Sequence, residues 1–548
     1  MVFARRSTTL LAAIIASCAM VLSLTACTSD NKTVVDGQTT VTSNSAGGVA
    51  VFTPSDGITL NQQTPLNKWA KLVPDLAKAL ADAGFKKGDI NHTTSDSLAK
   101  QSRAIQDFVV DHLSNNTTDD SGIAIAPDNM TLLVAPVVEA DASTRQYGDY
   151  VSQNLSTNDV TDEGATSDGE SSEDDSSKDD SSKDDSSNTE SDSTASDEQA
   201  QAVDRLVSSL KLAKESGMHV VLLGNSIEGY KPDAFVKFSD AQTIGKLQAE
   251  KMVSKLKLDK ASKDNPKYIE VLLPYTAMDE KGNANDSTFA QEAFRGIWQV
   301  LGSYYQKGVV ESPSGTLDGK STENDWQAVA YDAAKEGSTA KVLDKRLAKT
   351  DGQSTLTRID GIITMNDYIA SEVVKELDDL GYTGSAADIN PQITISGIVG
   401  NITGKKDLSR DAVPDPIKSP ENDNANDSSS SDDDADEDTS ASDKDRDSQW
   451  PLVTGYGAYV SNIPSIVNGK QWMTGMEDRQ TIATDIAQAC AKLNKDEALN
   501  SMPSTRNSEV GGVKKIPTIS EPLLAVSASN LKSALIDPGY ISLADAGL

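Results

Sequence analysis

The stretch Ile359-Asp360-Gly361-Ile362-Ile363-Thr364-Met365, with the residues that follow it, decides the fold class of this 548-residue chain. The stretch is short and mostly apolar, which predicts a buried strand. Over residues 368–380 the apolar side chains recur at helical spacing, and the apolar run 392–398 predicts another strand. Apolar strands that alternate with amphipathic helices are typical of parallel sheets covered by helices on both faces. The sequence therefore predicts an α/β fold.

Outward from this stretch, the same alternation occurs in two series along the chain. The first series has predicted strands at 49–52, 90–94, 131–135 and 219–223, with helices around 69–80, 105–113 and 203–210. The second has predicted strands at 268–273, 308–311, 359–365 and 392–398, with helices at 288–301, 326–347 and 368–380. Two such series predict two α/β lobes.

Two acidic segments interrupt the alternation and carry most of the formal net charge of −33. Residues 161–200 contain 15 acidic and 2 basic side chains, and residues 421–448 contain 12 acidic and 2 basic side chains. Both segments are rich in Ser and Asp and poor in apolar residues, so we predict disordered insertions at about 155–200 and about 418–448. They lack the ligand spacing of a calcium loop. The negative charge also argues against a nucleic-acid partner.

The first 27 residues have the organisation of a lipoprotein signal. Arg5-Arg6 precede an apolar run from Thr9 to Leu24, which ends in Leu24-Thr25-Ala26-Cys27. This order is typical of a secretory signal, and the run of about 16 residues is short for a membrane span. We therefore predict a signal peptide at 1–26 and lipidation of Cys27. The lipid would anchor the protein at the outer face of the cell membrane, and a flexible spacer would occupy 27–47.

No catalytic, metal-binding or cofactor-binding motif is recognisable in the sequence. The segment from Gly315 to Ser321 has the composition of a P-loop, but three residues separate its glycines where the phosphate cradle needs four. The three histidines are scattered, and Cys490 lies on an apolar helical stripe that predicts a buried structural thiol. We expect no catalysis, no metal and no cofactor.

Several segments resemble one family of binding proteins. Gly469-Lys470-Gln471-Trp472-Met473-Thr474-Gly475-Met476-Glu477-Asp478 resembles the Gly-x-Gln-x-Met-Thr-Val-Tyr-Lys segment of bacterial xylose-binding-type solute-binding proteins. These are periplasmic-binding type 1 receptors that feed ABC sugar importers. Further similar segments follow in the family's order: Lys68-Trp69, Asp240 with 244–249, 359–361 with Asn366-Asp367, 516–524, and Asn530-Leu531-Lys532.

The resemblance implies two Rossmann-like lobes with parallel sheets, joined by a hinge of three crossing strands. The crossings are expected near 224–226, 473–477 and 516–524. Lobe 1 would then span 48–224 and lobe 2 would span 225–476, each with one acidic insertion. Residues 477–515 would return to lobe 1, and 516–548 would form the third crossing and the C-terminal segment.

The resemblance also implies a sugar site between the lobes. The candidate ligand-binding residues carried over by position are Lys68, Trp69, Asn225, Asp240, Asn285, Asp286, Asn366, Asp367 and Glu477. The sequence departs from the family where Asn225-Ser226 replace Asp-Arg and where Met476-Glu477 replace Tyr-Lys. Three alternatives stay open: Trp69 packs in a core instead of stacking on a ring, Lys68 is a solvated lysine, and Asn366-Asp367 only cap a helix.

We therefore predict a monomeric, lipid-anchored receptor that captures a sugar or a related polar solute and delivers it to an ABC permease. The alternative is a surface lipoprotein of the same fold that serves sensing or cell-envelope interaction and has a diverged pocket. A third interpretation, a degenerate hydrolase, is disfavoured because no nucleophile motif is present.

Overall fold

The computed structural model describes residues 32–35, 38–41, 46–55, 65–115, 125–138, 142–156, 190–278, 285–333, 335–348, 355–386 and 449–548. The chain divides into a unit that ends at Asn44 and a larger unit that begins at Ser45. In the first unit, within the predicted spacer, strands β1 (Lys32–Val35) and β2 (Gln38–Val41) pair antiparallel. The predicted signal peptide and Cys27 lie outside the described residues.

The remaining strands belong to the larger unit. They are β3 (Gly48–Pro54), β4 (Ile90–Ser95), β5 (Met130–Val134), β6 (Asn154–Leu155), β7 (His219–Leu223), β8 (Ser226–Ile227), β9 (Ala234–Lys237), β10 (Lys267–Val271), β11 (Leu273–Pro274), β12 (Val310–Glu311), β13 (Ala330–Tyr331), β14 (Gly361–Ile363), β15 (Leu452–Val453), β16 (Met473–Met476), β17 (Thr505–Val510), β18 (Val513–Ser520) and β19 (Leu524–Ser527).

The helices of this unit separate most of these strands. They are α1 (Trp69–Asp82), α2 (Leu98–Asn115), α3 (Ala142–Arg145), α4 (Glu190–Glu215), α5 (Ala241–Leu256), α6 (Thr288–Gln306), α7 (Trp326–Val329), α8 (Ser338–Arg346), α9 (Asp367–Leu380), α10 (Ile463–Val467) and α11 (Arg479–Leu493). Among the described residues, no helix is both long and apolar enough to cross a membrane.

Lobe 1 is built on a seven-stranded sheet in the order β17-β18-β9-β7-β5-β3-β4. All neighbours are parallel except β17 and β18, which form an antiparallel pair. Along β3, Val49 and Val51 face a core formed with α1 and α11, and Ala50 and Phe52 face a core formed with α2 and α4. The sheet is therefore buried on both faces, as its apolar strands predict.

Lobe 2 is built on a four-stranded parallel sheet in the order β12-β10-β14-β15. Gly361 of β14 lies opposite Ile269 of β10 and Leu452 of β15. Helices α5 and α6 pack closely at Gly296. A Cβ added at this residue would lie only 2.0 Å from the Gln242 carbonyl oxygen, so the glycine permits the close approach. The predicted two-lobed α/β architecture with parallel sheets is confirmed.

The chain passes between the lobes three times. The first passage, residues 238–240, leads from β9 of lobe 1 to α5 of lobe 2. The second contains β16, and the third lies between β18 and β19; β16 and β19 pair antiparallel, with Met473 opposite Ser527. The predicted first crossing near 224–226 was too early, because β9 returns the chain to lobe 1 between β7 and β18. Lobe 1 therefore continues to Lys237 instead of ending at Gly224.

Two predicted elements differ from the structure. The single helix predicted at 326–347 is divided into α7 and α8 by β13, which pairs with β11, and by Gly337, whose φ is 70°. The strand predicted at 392–398 lies outside the described residues, and β15 occupies the place beside β14. The structure also begins α4 at Glu190, inside the predicted insertion 155–200. Residues 157–189 and 387–448, which hold most of both predicted insertions, lie outside the described residues.

Candidate functional site

A short segment of the chain, residues 146–153, lies where the two lobes meet. It follows α3 and precedes β6, so it belongs by sequence to the connection between β5 and α4 of lobe 1. Tyr150 belongs to the core of lobe 1, whereas Tyr147 belongs to the core of lobe 2. Each of these tyrosines is only 1% exposed. The segment therefore packs against both lobes at once.

On the side of lobe 1, the segment contacts three predicted site residues. The Asp149 carboxylate accepts a hydrogen bond from Lys68 Nζ at 2.9 Å and another from the Trp69 backbone N–H at 3.1 Å. The rings of Tyr150 and Trp69 form a T-shaped pair, with centroids 5.1 Å apart. Asn225 Oδ1 accepts a hydrogen bond from the Gln153 N–H at 3.0 Å. These contacts pair a cation, an amide and an aromatic ring with the segment.

On the side of lobe 2, the segment is held by one predicted residue and two unpredicted ones. Asn366 Nδ2 donates a hydrogen bond to Gln146 Oε1 at 3.1 Å, and the Tyr459 hydroxyl donates one to the Gln146 carbonyl at 2.7 Å. The Tyr147 ring lies against Phe289, with centroids 4.7 Å apart. Lobe 2 thus also contacts the segment with polar and aromatic groups.

Glu477 lies at the second passage in a buried network that joins both lobes. Its Oε1 accepts hydrogen bonds from the Ser239 N–H at 2.6 Å and from the Tyr456 hydroxyl at 3.2 Å. Asn67 Nδ2 donates to the same hydroxyl at 3.1 Å. Burial raises the pKa of Glu477 to about 7, although hydrogen bonds from Ser239 and Tyr456 partly oppose this shift. Glu477 therefore stabilises the passages between the lobes.

Asn366 and Asp367 begin α9, and the predicted capping role of Asn366 is confirmed. Asn366 Oδ1 accepts a hydrogen bond from the Ile369 N–H at 2.9 Å. Asp367 is fully buried and accepts hydrogen bonds from Gln471 Nε2 at 2.7 Å and from Thr474 Oγ1 and the Tyr459 N–H at 2.9 Å. Burial raises the pKa of Asp367 to about 6. The structure places the Asp367 carboxylate inside lobe 2, whereas the Asn366 amide also reaches the segment.

The other three predicted residues bond within their own loops in the described part of the chain. Asp240 caps α5 through the Thr243 N–H at 2.7 Å and forms an ion pair with Lys237 at 2.8 Å. Asn285 Nδ2 donates to the Thr276 carbonyl at 2.8 Å. Asp286 Oδ1 accepts from the Thr288 N–H at 2.9 Å. The structure does not bring these side chains onto the 146–153 segment.

Sequence reasoning missed the segment itself and the tyrosines that surround it. The available signal was Tyr147-Gly148-Asp149-Tyr150, an aromatic and polar stretch between a strand and an acidic tract. Tyr456 and Tyr459 gave no such signal, because their contacts with Asn67 and Gln146 join positions that lie hundreds of residues apart in the chain.

Other features of the described residues do not add a second site. A cavity of about 310 Å³ lies at the first and third passages and is lined by Lys237, Phe238, Ser239, Thr243, Ser520, Glu521, Pro522 and Leu523. None of these lining residues was predicted to bind a ligand. Within the described ranges, no group of three His, Cys, Asp or Glu side chains is placed to hold a metal ion.

No protein-family model and no curated protein sequence matches this chain. A solute-binding protein of an ABC transporter from Clostridium phytofermentans, with bound β-D-glucose, is 17% identical, with 91% of this chain and 99% of that chain covered and a TM-score of 0.44. A carbohydrate transporter solute-binding protein from Chloroflexus aurantiacus, in complex with D-glucose, is 18% identical, with 92% and 98% covered and a TM-score of 0.43.

A third similar structure is the periplasmic ribose ABC transporter protein from Conexibacter woesei. It is 13% identical, with 90% of this chain and 96% of that chain covered and a TM-score of 0.42. Similarity at these identities and TM-scores does not assign a ligand to this chain.

Proposed function

We propose that this chain is a lipid-anchored solute-binding protein that captures a sugar or a sugar-like polar solute between its lobes and delivers it to an ABC importer. One observation carries the proposal. Lys68, Trp69 and Asn225 of lobe 1 and Asn366 and Tyr459 of lobe 2 converge on a single short segment.

The chemistry of these side chains suits a hydroxylated ring. A sugar hydroxyl that leaves water needs a hydrogen-bond partner, and an amide or ammonium group supplies one. Trp69 is 3% exposed and packs in the core of lobe 1 against Tyr150 and Phe238, so its ring would meet the ring of a sugar only after Tyr150 has left. In the structure, these residues instead contact residues 146–153. They form hydrogen bonds with a carboxylate, a carbonyl and a backbone N–H of the segment and a ring contact with one of its tyrosines. The resemblance of the surrounding segments to sugar receptors supports the same ligand class.

The experiment is a thermal-shift screen of the full chain against mono- and oligosaccharides, followed by calorimetry on each hit. A solute that binds only the folded protein raises the melting temperature. We expect at least one hit, and we expect Lys68→Met to bind it about tenfold more weakly than Asp149→Asn does, because both variants lose the ion pair with Asp149 but only Lys68→Met loses the ammonium group.

The matched control is Lys78→Met. Lys78 is an 80% exposed lysine of α1 whose ion pair joins it to Asp82 of the same helix, so this variant should bind like the wild type. The proposal fails if no sugar shifts the melting temperature at roughly 10 mM, a concentration far above a micromolar dissociation constant.

The lipid anchor and the importer are parts of the same proposal with their own tests. Cys27→Ser should move the protein from the membrane fraction to the soluble fraction, because an acyl chain provides the membrane affinity. Cys490→Ser is the control, since Cys490 is buried in lobe 1. We also expect the protein that Cys27→Ser releases to be a monomer in light scattering. The anchored protein should be required for uptake of the sugar by cells.

A second candidate function is favoured by one observation: the 146–153 segment already satisfies four of the nine predicted site residues. A site that is permanently filled in this way would suit a lipoprotein for sensing or cell-envelope interaction. Continued binding of the protein to whole cells, together with a sugar screen without a hit, would favour this second function.

A further inference from the structure

We propose that residues 146–153 form a latch, an intramolecular ligand that holds the two lobes together and has to leave before a solute enters. This inference rests on the proposed function and names the regulation of the same site. The segment belongs to lobe 1 by its place in the sequence, yet Tyr147 is buried in the core of lobe 2.

The latch joins the lobes through both of its ends. Gln146 and Tyr147 contact Asn366, Tyr459 and Phe289 of lobe 2. The later residues contact lobe 1 and the first passage, where the Asp149 N–H donates to the Asn67 carbonyl at 2.8 Å and the Ser152 N–H donates to the Ser239 carbonyl at 3.0 Å. A loop that only completed lobe 1 would not need the contacts with lobe 2.

The latch and a sugar would compete for the same atoms of the site. Lys68 Nζ donates to the Asp149 carboxylate, Asn225 Oδ1 accepts from the Gln153 N–H, and Asn366 Nδ2 donates to Gln146. The Trp69 ring packs against Tyr150. A sugar that uses these groups has to displace the segment from each of them.

The latch packs closely against lobe 1 at Gly148. Gly148 has a φ of 98°, and a Cβ added there would lie 2.7 Å from both the carbonyl oxygen and the Cβ of Asn67. A side chain at this position would therefore be strained by the backbone conformation and by the close approach of Asn67. Only glycine allows the segment to lie against lobe 1 in this way.

Among the polar contacts of the latch, the ion pair between Lys68 and Asp149 is the one that water can reach, since Asn225 and Asn366 are only 3% and 0% exposed. The side chains of Lys68 and Asp149 are 15% and 21% exposed, whereas Tyr147 and Tyr150 are each 1% exposed. A solute that arrives at the partly exposed ion pair can replace the carboxylate first, and the buried tyrosines would follow.

The experiment measures amide hydrogen exchange by mass spectrometry in the full chain without any sugar. The latch variants are Gly148→Ala, which introduces the clash with Asn67, and Asp149→Asn, which removes the charge that Lys68 pairs with. We expect both to accelerate exchange about tenfold in 146–153 and in the peptides around Asn67 and Tyr459, because the local opening free energy falls. Peptides from β5 and β10 should keep the wild-type rate.

The controls are matched to each variant. Gly315→Ala places a side chain at another glycine with positive φ, 70°, where nothing lies within 4 Å of the added Cβ. Asp259→Asn removes an aspartate that accepts a hydrogen bond from Tyr304 at an exposed site of lobe 2. Both controls should leave exchange in 146–153 unchanged. If Gly148→Ala does not fold, Asp149→Asn tests the latch alone.

Binding of D-glucose, D-xylose and L-arabinose to the same variants separates the latch from the proposed function. Faster exchange in both lobes, with about tenfold tighter sugar binding, supports both, since an occupied site lowers the apparent affinity. Faster exchange in both lobes without binding of any sugar to any form supports the latch and contradicts the sugar receptor.

Two results would overturn the latch. One is unchanged exchange in both variants, or an increase confined to 146–153 itself. The other is a sugar that binds wild type and variants equally while 146–153 stays protected, which would leave the receptor intact and remove the latch.

Discussion

Glu477 has the most consequential titration among the described residues of the site. Burial raises its pKa from 4.5 to about 7, so the folded protein binds this proton more tightly than the unfolded chain does. The resulting stabilisation is complete below pH 4.5 and is lost as the pH rises towards 7. Asp367 acts with the same sign, between pH 3.8 and about 6.

Glu477→Gln should therefore flatten the dependence of stability on pH. Gln keeps the acceptor for the Ser239 N–H and does not ionise, so the variant should lack about 3 kcal/mol of the loss that the wild type undergoes between pH 4.5 and 7.5. Urea unfolding at several pH values measures this, with Glu497→Gln, at an exposed ion pair, as the control. Parallel profiles for wild type and Glu477→Gln would contradict the account.

For Asp367, we predict that a substitution lowers the stability of the protein instead of weakening ligand binding. The Asp367 carboxylate accepts from Gln471 and the Tyr459 N–H of lobe 2 and from Thr474 of β16. Asp367→Ala would leave these donors unpaired and should cost about 3 kcal/mol or more in urea unfolding. Asp378→Ala, in the same helix but 54% exposed beside Lys470, should cost less than about 1 kcal/mol. Equal costs for the two variants would refute the structural role of Asp367.

The start of α9 combines a helix cap with a contact to residues 146–153. Asn366→Ala should lower stability by about 1 to 2 kcal/mol, and Asn366→Ser should recover most of that loss because a hydroxyl also accepts from the Ile369 N–H. Denaturant unfolding of the three proteins checks this. If Ser and Ala variants were equally unstable, the cap would not be the source of the stabilisation.

The elements that the sequence predicted were those with long local patterns. The strands 49–52 and 131–135 appear as β3 and β5, and the helix that begins at Trp69 appears as α1. The elements that were missed depend on distant partners. Leu452–Val453 and Ala330–Tyr331 are two residues long and become strands only beside β14 and β11. Periodicity cannot reveal such pairings because their stabilisation comes from another part of the chain.

In the whole molecule, colinear similarity to sugar receptors predicted the two lobes. The structure places Lys68, Trp69, Asn225 and Asn366 around residues 146–153, and the binding of a ligand by these residues stays a prediction. The similarity could not predict what these residues contact, because Asp149 lies 81 residues from Lys68 and Gln146 lies 220 residues from Asn366. Asn285 and Asp286 fell outside because their hydrogen bonds are satisfied locally.

The segment 387–448 should be dispensable for the fold. The chain is held on both sides of it, since the Trp450 N–H donates to the Thr383 carbonyl at 2.8 Å and the Ala386 N–H donates to the Gly469 carbonyl at 3.0 Å. Replacing 388–447 with a Gly/Ser linker of about eight residues should leave the melting temperature within about 2 °C of the wild type, because a shorter loop closes at lower entropic cost. A large fall in the melting temperature would mean that this segment contributes to the core of lobe 2.

The most direct test of the central claim is a crystal structure of the full chain with the sugar that gives the largest thermal shift. We predict that the sugar lies between the lobes, in contact with Lys68 and Trp69 on one side and Asn366 on the other, with residues 146–153 displaced. A sugar bound elsewhere on the surface, with Asp149 still paired to Lys68, would contradict it.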